Sequence, residues 1–131
     1  AGMSEALSAG AESLTVIPSD VPLAYRGDLV DLLDTGATSD IVLVPAGDDG
    51  GTNAMYLTPP DLIEPAFGPG SLQRHIALAD RRGYRCSILS LTRLALDVDT
   101  PEDVDAFLAA AGEFGGRSAE LLRKLRGAEA R

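Results

Sequence analysis

A chain of 131 residues with 20 acidic against 11 basic side chains carries a formal net charge of −9, which excludes a nucleic-acid binder built on a basic footprint. Hydrophobic residues make up 45% and charged residues 24%, as in an ordinary globular protein, and no run of about 18 uncharged apolar residues is present to span a membrane. Cys86 is the one cysteine and Lys124 the one lysine, so neither a disulfide nor a lysine-rich triphosphate grip is available, and an anionic ligand would need a metal ion, oriented amides or a few placed cations.

The length fits a single domain over residues 1–131. No charged leader with an apolar core opens the sequence, and a lone cysteine in an apolar run reads as a small buried hydrophobe, so a reducing cytoplasm is the expected setting. Ser4 to Ala11 reads as the end of an alanine-rich helix. Leu14 to Ile17 reads as a buried strand closed by Pro18, and Asp28 to Leu33 as a short helix stopped by Gly36. Ile41 to Val44 is a second buried strand, Asp48 to Gly51 a turn, and Thr52 to Leu57 a third strand. Leu72, His75, Ile76 and Ala79 share one helical face, which predicts an amphipathic helix over Ser71 to Arg82 ended by Gly83. Cys86 to Leu91 and Ala95 to Val98 read as strand segments. Thr100-Pro101-Glu102-Asp103 has a cap, a proline at the first helical position and acids in the first turn, and so begins a helix. Ser118 to Arg126 is the last helix, with the stripe Leu121, Leu122 and Leu125 as core or as a dimer contact. Apolar strands alternating with helices predict an α/β three-layer sandwich with a mostly parallel sheet, whose ligand crevice lies at the carboxyl ends of the strands.

Three groups of residues could carry chemistry. Asp20 follows a buried strand and sits between Pro18 and Pro22; it is either a rigid carboxylate for a hard cation such as Mg²⁺ or a plain turn former. Asp97 and Asp99 lie two apart, so on a strand their Cα atoms are roughly 6–7 Å apart on one face. They either share a cation or decorate the start of the helix at Pro101. Gly51-Thr52-Asn53 and Phe67-Gly68-Pro69-Gly70-Ser71 combine glycines, hydroxyls and a helix start; the pair is either an anion cradle or a capped helix after a tight turn. His75, the only histidine, reads as a packed structural side chain, and Arg74, Arg81, Arg82 and Arg85 as surface.

Taken in order, these segments resemble one family. Pro18-Ser19-Asp20-Val21-Pro22-Leu23 is similar to the aspartate loop of nucleotidyltransferases of the nucleotide-diphospho-sugar transferase fold. Gly50 to Ala54, Phe67 to Leu72 with Arg74-His75, and Leu96 to Asp103 resemble the phospholactate/phosphoenolpyruvate guanylyltransferases of coenzyme F-420 biosynthesis. The resemblance runs from about Gly2 to Leu108. It implies that Asp20, Asp97 and Asp99 hold a catalytic Mg²⁺ and that Thr52, Gly68 and Ser71 hold the phosphorylated acid. It implies transfer of GMP from GTP to a small phosphorylated carboxylic acid, with pyrophosphate released. Family members are longer and grip the GTP phosphates through an N-terminal lysine- and arginine-containing loop, so this chain is expected to be the C-terminal portion of a nucleotidyltransferase domain, inactive by itself. The expected partners are GTP and the acid, with no nucleic acid and no membrane. A guanylyltransferase for molybdenum cofactor, a sugar-phosphate nucleotidyltransferase or a non-catalytic module that binds a phosphorylated metabolite are the alternatives.

Overall fold

The computed structural model describes residues 2–47, 49–112 and 116–129. Its elements in chain order are α1 (Gly2–Ser8), β1 (Leu14–Val16), α2 (Arg26–Gly36), β2 (Ile41–Pro45), β3 (Thr52–Leu57), α3 (Ser71–Arg82), β4 (Cys86–Ile88), α4 (Pro101–Ala111) and α5 (Gly116–Glu129). The strands form one sheet in the order β1-β3-β2-β4. The α/β class is as expected, but the strand directions are not mostly parallel: β2 and β4 run parallel, whereas β3 is antiparallel to both β1 and β2. The reason is chain length. The link from Pro45 to Thr52 is too short for a crossover, which takes about a dozen residues, so β3 must return beside β2 as a hairpin partner.

Both faces of the sheet are covered, which is why β2 and β3 are apolar at successive positions. On one face Val42, Val44, Ala54 and Tyr56 pack with Leu32 of α2 and with Leu91 and Leu94. On the other, Ile41, Leu43, Met55 and Leu57 pack with Ile63 and Ala79, with Leu72 and Ile76 of α3 alongside. Each fully buried large aliphatic side chain contributes about 1.5–3 kcal/mol, so these two layers dominate the stability of the sheet. The predicted face of α3 is the observed one, and Gly83 closes the helix in the left-handed conformation at φ 71°. A third cluster joins α4 and α5 through Phe107, Ala111 and Ala119, with Leu96, Val98 and Leu122 against it. Leu121 and Leu125 stay exposed rather than entering this core.

Local signals set the element ends. In α2 the Asp28 carboxylate accepts from the Tyr25 amide at 2.8 Å, and the helix runs from Arg26, earlier than the apolar pattern alone indicates. At α4 the Thr100 hydroxyl accepts from the Asp103 amide at 3.2 Å, the cap that the sequence predicted, and Asp103 accepts in return from the Thr100 amide at 2.8 Å. Asp40 at the head of β2 takes the Arg85 guanidinium at 2.9 Å and the Arg85 amide at 2.8 Å, tying β2 to β4. Cys86 is half-buried against α3, and burial, with Asp80 nearby, pushes its thiol above the ordinary value. No described helix is long and apolar enough to cross a membrane.

Candidate functional site

The register fixes where the candidate residues meet. Val16 pairs with Met55 and Pro45 with Thr52, so the carboxyl ends of β1 and β2 and the amino end of β3 lie at one edge of the sheet. Asp20 follows the first of these ends, and Gly51 and Thr52 form the third.

A bulge then decides which way Thr52 faces. Val44 pairs with Ala54 and Pro45 with Thr52, leaving Asn53 as an extra residue in β3. Strict alternation would put Thr52 with Ala54 and Tyr56, on the side of α2. Instead Thr52 bonds to Ser71 and His75 of α3, and Asn53 turns to the other side, where its Nδ2 donates to the Leu94 carbonyl at 2.9 Å.

Two glycine turns are sewn together around Thr52. The Gly70 amide donates to the Asp49 carbonyl and the Leu72 amide to the Gly50 carbonyl, each at 3.1 Å. The Gly51 amide donates to the Asp49 carboxylate at 2.7 Å. Glycine is required here for two reasons. Gly50, Gly68 and Gly70 hold φ of 68°, 106° and 69°. A Cβ on Gly51 would lie 2.6 Å from the Asp49 carboxylate and 3.3 Å from the Gly68 carbonyl. Asp48, the first residue of the predicted turn, lies outside the described residues.

The expected free amides at the head of α3 are largely committed. Ser71 donates to the Gly68 carbonyl at 3.1 Å, and the Leu72 amide is spent on Gly50. The polar atoms that remain form a buried chain. The Ser71 hydroxyl donates to Thr52 Oγ1 at 3.1 Å, Thr52 Oγ1 lies 3.1 Å from His75 Nδ1, and His75 Nε2 accepts the Ala66 amide at 3.1 Å. Ser71, Thr52 and His75 are 0%, 2% and 2% exposed. Phe67 stands edge-on to the His75 ring with 6.5 Å between centroids. Burial, and second the charge of Arg74, hold the imidazole below its ordinary pKa, so it is neutral near pH 7. Arg74 itself donates to the Pro69 carbonyl at 2.9 Å, closing the loop rather than standing free.

The carboxylates arrive on a strap, residues 94–99. Ala95 to Val98 was expected as a strand; it pairs with no single partner and is pinned to several. Leu94 is held by Asn53, the Ala95 carbonyl accepts from the Gly47 amide at 3.0 Å, and the Val98 amide donates to the Asp20 carbonyl at 3.1 Å. The Asp99 amide donates to the Asp103 carboxylate at 3.2 Å, which fastens the strap to the cap of α4. Leu96 and Val98 pack into the α4–α5 cluster, while Asp97 is half-buried and Asp99 exposed. Asp20 is exposed beside them. Their backbones are therefore adjacent, but among the described residues no three His, Cys, Asp or Glu side chains close into a metal-holding group. This arrangement fits a Mg²⁺ that takes one or two carboxylates and completes its shell with substrate phosphates and water, rather than one in an all-protein cage. Asp103 accepts from the Thr100 hydroxyl, the Thr100 amide and the Asp99 amide, in that order of weight, and its carboxyl lies below the usual range.

A cavity of about 650 Å³ lies elsewhere, between residues 22–25, Arg93 and Ala110-Ala111. Among the described residues that line it the one cation, Arg93, is already directed at Asp28 at 3.6 Å and stacked 5.1 Å from the Tyr25 ring centroid, so it offers little to a phosphate. The glycine turns and the strap remain the candidate site.

The profile of the family described as "Guanylyl transferase CofC like" matches residues 2–128. The chain belongs to this family. It is 41% identical over 119 residues to the phosphoenolpyruvate guanylyltransferase of Sphaerobacter thermophilus, covering 91% of this chain and 57% of that protein. It is 38% identical over 115 residues to the 2-phospho-L-lactate guanylyltransferase of Methanothermobacter thermautotrophicus, covering 88% of this chain and 50% of that one. Its identity to the 3-phospho-D-glycerate guanylyltransferase of Phenylobacterium zucineum is 36%, over 86% of this chain and 51% of that one. The chain thus spans about half the length of the curated relatives it matches. A solved structure from Desulfovibrio desulfuricans, assigned to the nucleotide-diphospho-sugar transferases, superposes over 97% of this chain and 57% of its own, with a TM-score of 0.73 at 22% identity; that likeness establishes the fold.

Proposed function

We propose that this chain provides the acid-binding and carboxylate-bearing part of a guanylyltransferase that joins GMP from GTP to a small phosphorylated carboxylic acid. The observation that carries this reading is the bond from the Val98 amide to the Asp20 carbonyl, which brings both acidic segments to the sheet edge that also bears the glycine turns. The names of the relatives, acting on phosphoenolpyruvate, 2-phospho-L-lactate or 3-phospho-D-glycerate, support the substrate class.

In this reading a phosphate oxygen of the acid attacks the α-phosphorus of GTP in line, pyrophosphate leaves, and a phosphoanhydride forms. Thr52 and Gly68 hold the acid, with Ser71 acting through its bond to Thr52, so that the acid's phosphate faces Asp20, Asp97 and Asp99. Those three carboxylates are the candidates to hold Mg²⁺, one or two of them directly, and the ion would supply charge neutralisation between the two phosphates. The residues otherwise act by positioning, and no covalent enzyme intermediate is needed. Leu121 and Leu125 offer an exposed apolar pair on which a second copy could dock. The test is pyrophosphate release from GTP by the full gene product with each of the three acids. Release that no acid stimulates would overturn the reading.

A further inference from the structure

We propose that His75 is a positioning residue for the acid: by donating from Nδ1 to Thr52 Oγ1, it leaves the Thr52 hydroxyl proton free to go to the ligand. The inference rests on the acid-site reading above and adds a residue to it. It follows from the hydrogen bonds alone. The Ala66 amide can only donate, so His75 Nε2 must carry a lone pair. A neutral imidazole has one N–H, which then sits on Nδ1 and donates across 3.1 Å to Thr52 Oγ1. The Ser71 hydroxyl donates to the same oxygen. A hydroxyl has two acceptor lone pairs and one proton. Both lone pairs of Thr52 are filled from the α3 side, so its proton must point away from α3, and among the described residues no protein acceptor takes it.

The geometry also links two parts of the cradle. Through Nε2 the ring holds the loop at Ala66, two residues before Gly68, and through Nδ1 it sets the hydroxyl of Thr52. The charged groups around it are Arg74 and Arg81 of its own helix and Glu64 of the facing loop. A proton added at Nε2 would set two donors, Nε2–H and the Ala66 amide, against each other, so the arrangement holds in the neutral form only.

Because His75 is the only histidine, one imidazole signal set reports it. Long-range ¹H–¹⁵N spectra of the unaltered chain near neutral pH should show Nδ1 protonated and Nε2 bare; an Nε2–H tautomer or an imidazolium overturns the inference without touching the acid-site reading. Calorimetry with phosphoenolpyruvate gives the second arm. Thr52→Val and His75→Phe are each expected to weaken binding by about tenfold, the worth of one hydrogen bond to a charged group, and the double variant no further than Thr52→Val alone. Additive losses, or full binding by His75→Phe beside weakened Thr52→Val, overturn the positioning role. Full binding by Thr52→Val, or no binding by the unaltered chain, instead overturns the acid site itself.

Discussion

The amide of Val98 donates to the carbonyl oxygen of Asp20 at 3.1 Å, joining two segments that are far apart in the chain. One residue to either side of Val98 stands an aspartate, so a single backbone bond brings the backbones of three acidic residues together. With the full gene product, Asp20→Asn, Asp97→Asn and Asp99→Asn are each expected to lower pyrophosphate release by on the order of a hundredfold or more, with thermal melting nearly unchanged because none of the three is core. If Asp97→Asn and Asp99→Asn both turn over like the parent, the carboxylate assignment fails.

The cap at α4 predicts a pH dependence of stability. Asp103 is held below the usual carboxylate range by the Thr100 hydroxyl first, then by the Thr100 and Asp99 amides. A depressed folded-state pKa means that stability is present above the unfolded value and is lost as pH falls through the folded one. The difference in melting temperature between the parent and Asp103→Asn should therefore be full near neutrality and vanish in strong acid. Thr100→Ala removes the other half of the cap and should cost about 1 kcal/mol in urea unfolding.

His75 gives a second, separate window. Its pKa is lowered, chiefly by burial, so the neutral ring's contribution is whole above the ordinary histidine value and declines as pH falls through the lowered one. Melting curves from about pH 7.5 down to about pH 5 should show a loss that His75→Gln abolishes. An identical slope in that variant would assign the loss to carboxylates instead.

Gly36 tests the packing of α2 on the sheet. A Cβ there would lie 2.5 Å from the ring of Tyr56, itself buried in β3. Replacing glycine by alanine gains up to about 1 kcal/mol of helix propensity, less at the last residue of a helix. Overpacking of this kind costs about 1–3 kcal/mol. The clash should win, and Gly36→Ala should unfold at lower urea; a variant as stable as the parent would show that Tyr56 can move aside.

Much of this was legible in the sequence where one local signal sufficed. The face of α3, the cap at Thr100 and the prolines that close β1 and β2 are carried by residues next to one another. The family could be read because short motifs occur in order along the chain. What escaped was decided by pairing between distant segments. Ala95 to Val98 has the composition of a strand, but its hydrogen bonds go to Gly47 and Asp20 rather than to one neighbour. Ser71 looked like a helix-start donor, yet its hydroxyl is spent on Thr52 and its amide on Gly68. His75 was read as packing alone, because its spacing with Leu72 and Ile76 says where the ring lies and nothing of what its nitrogens meet. Asn53 was named within the Gly51-Thr52-Asn53 element, but nothing beside it in the chain shows that its side chain turns to the Leu94 carbonyl.

The extra residue in β3 has a consequence for how such chains can vary in length. The turn before Gly51 is held in register because Asp49 and Gly50 accept from the Gly70 and Leu72 amides, so a change of length there would open the seam between the two glycine turns. Deleting one position at Asn53 would restore the regular pleat with Thr52 directly before Ala54, still on the side of Ser71, and would remove the bond to the Leu94 carbonyl. The one unpaired amino acid thus serves the strap, lending it a side chain from the opposite side of the sheet while Thr52 keeps its place.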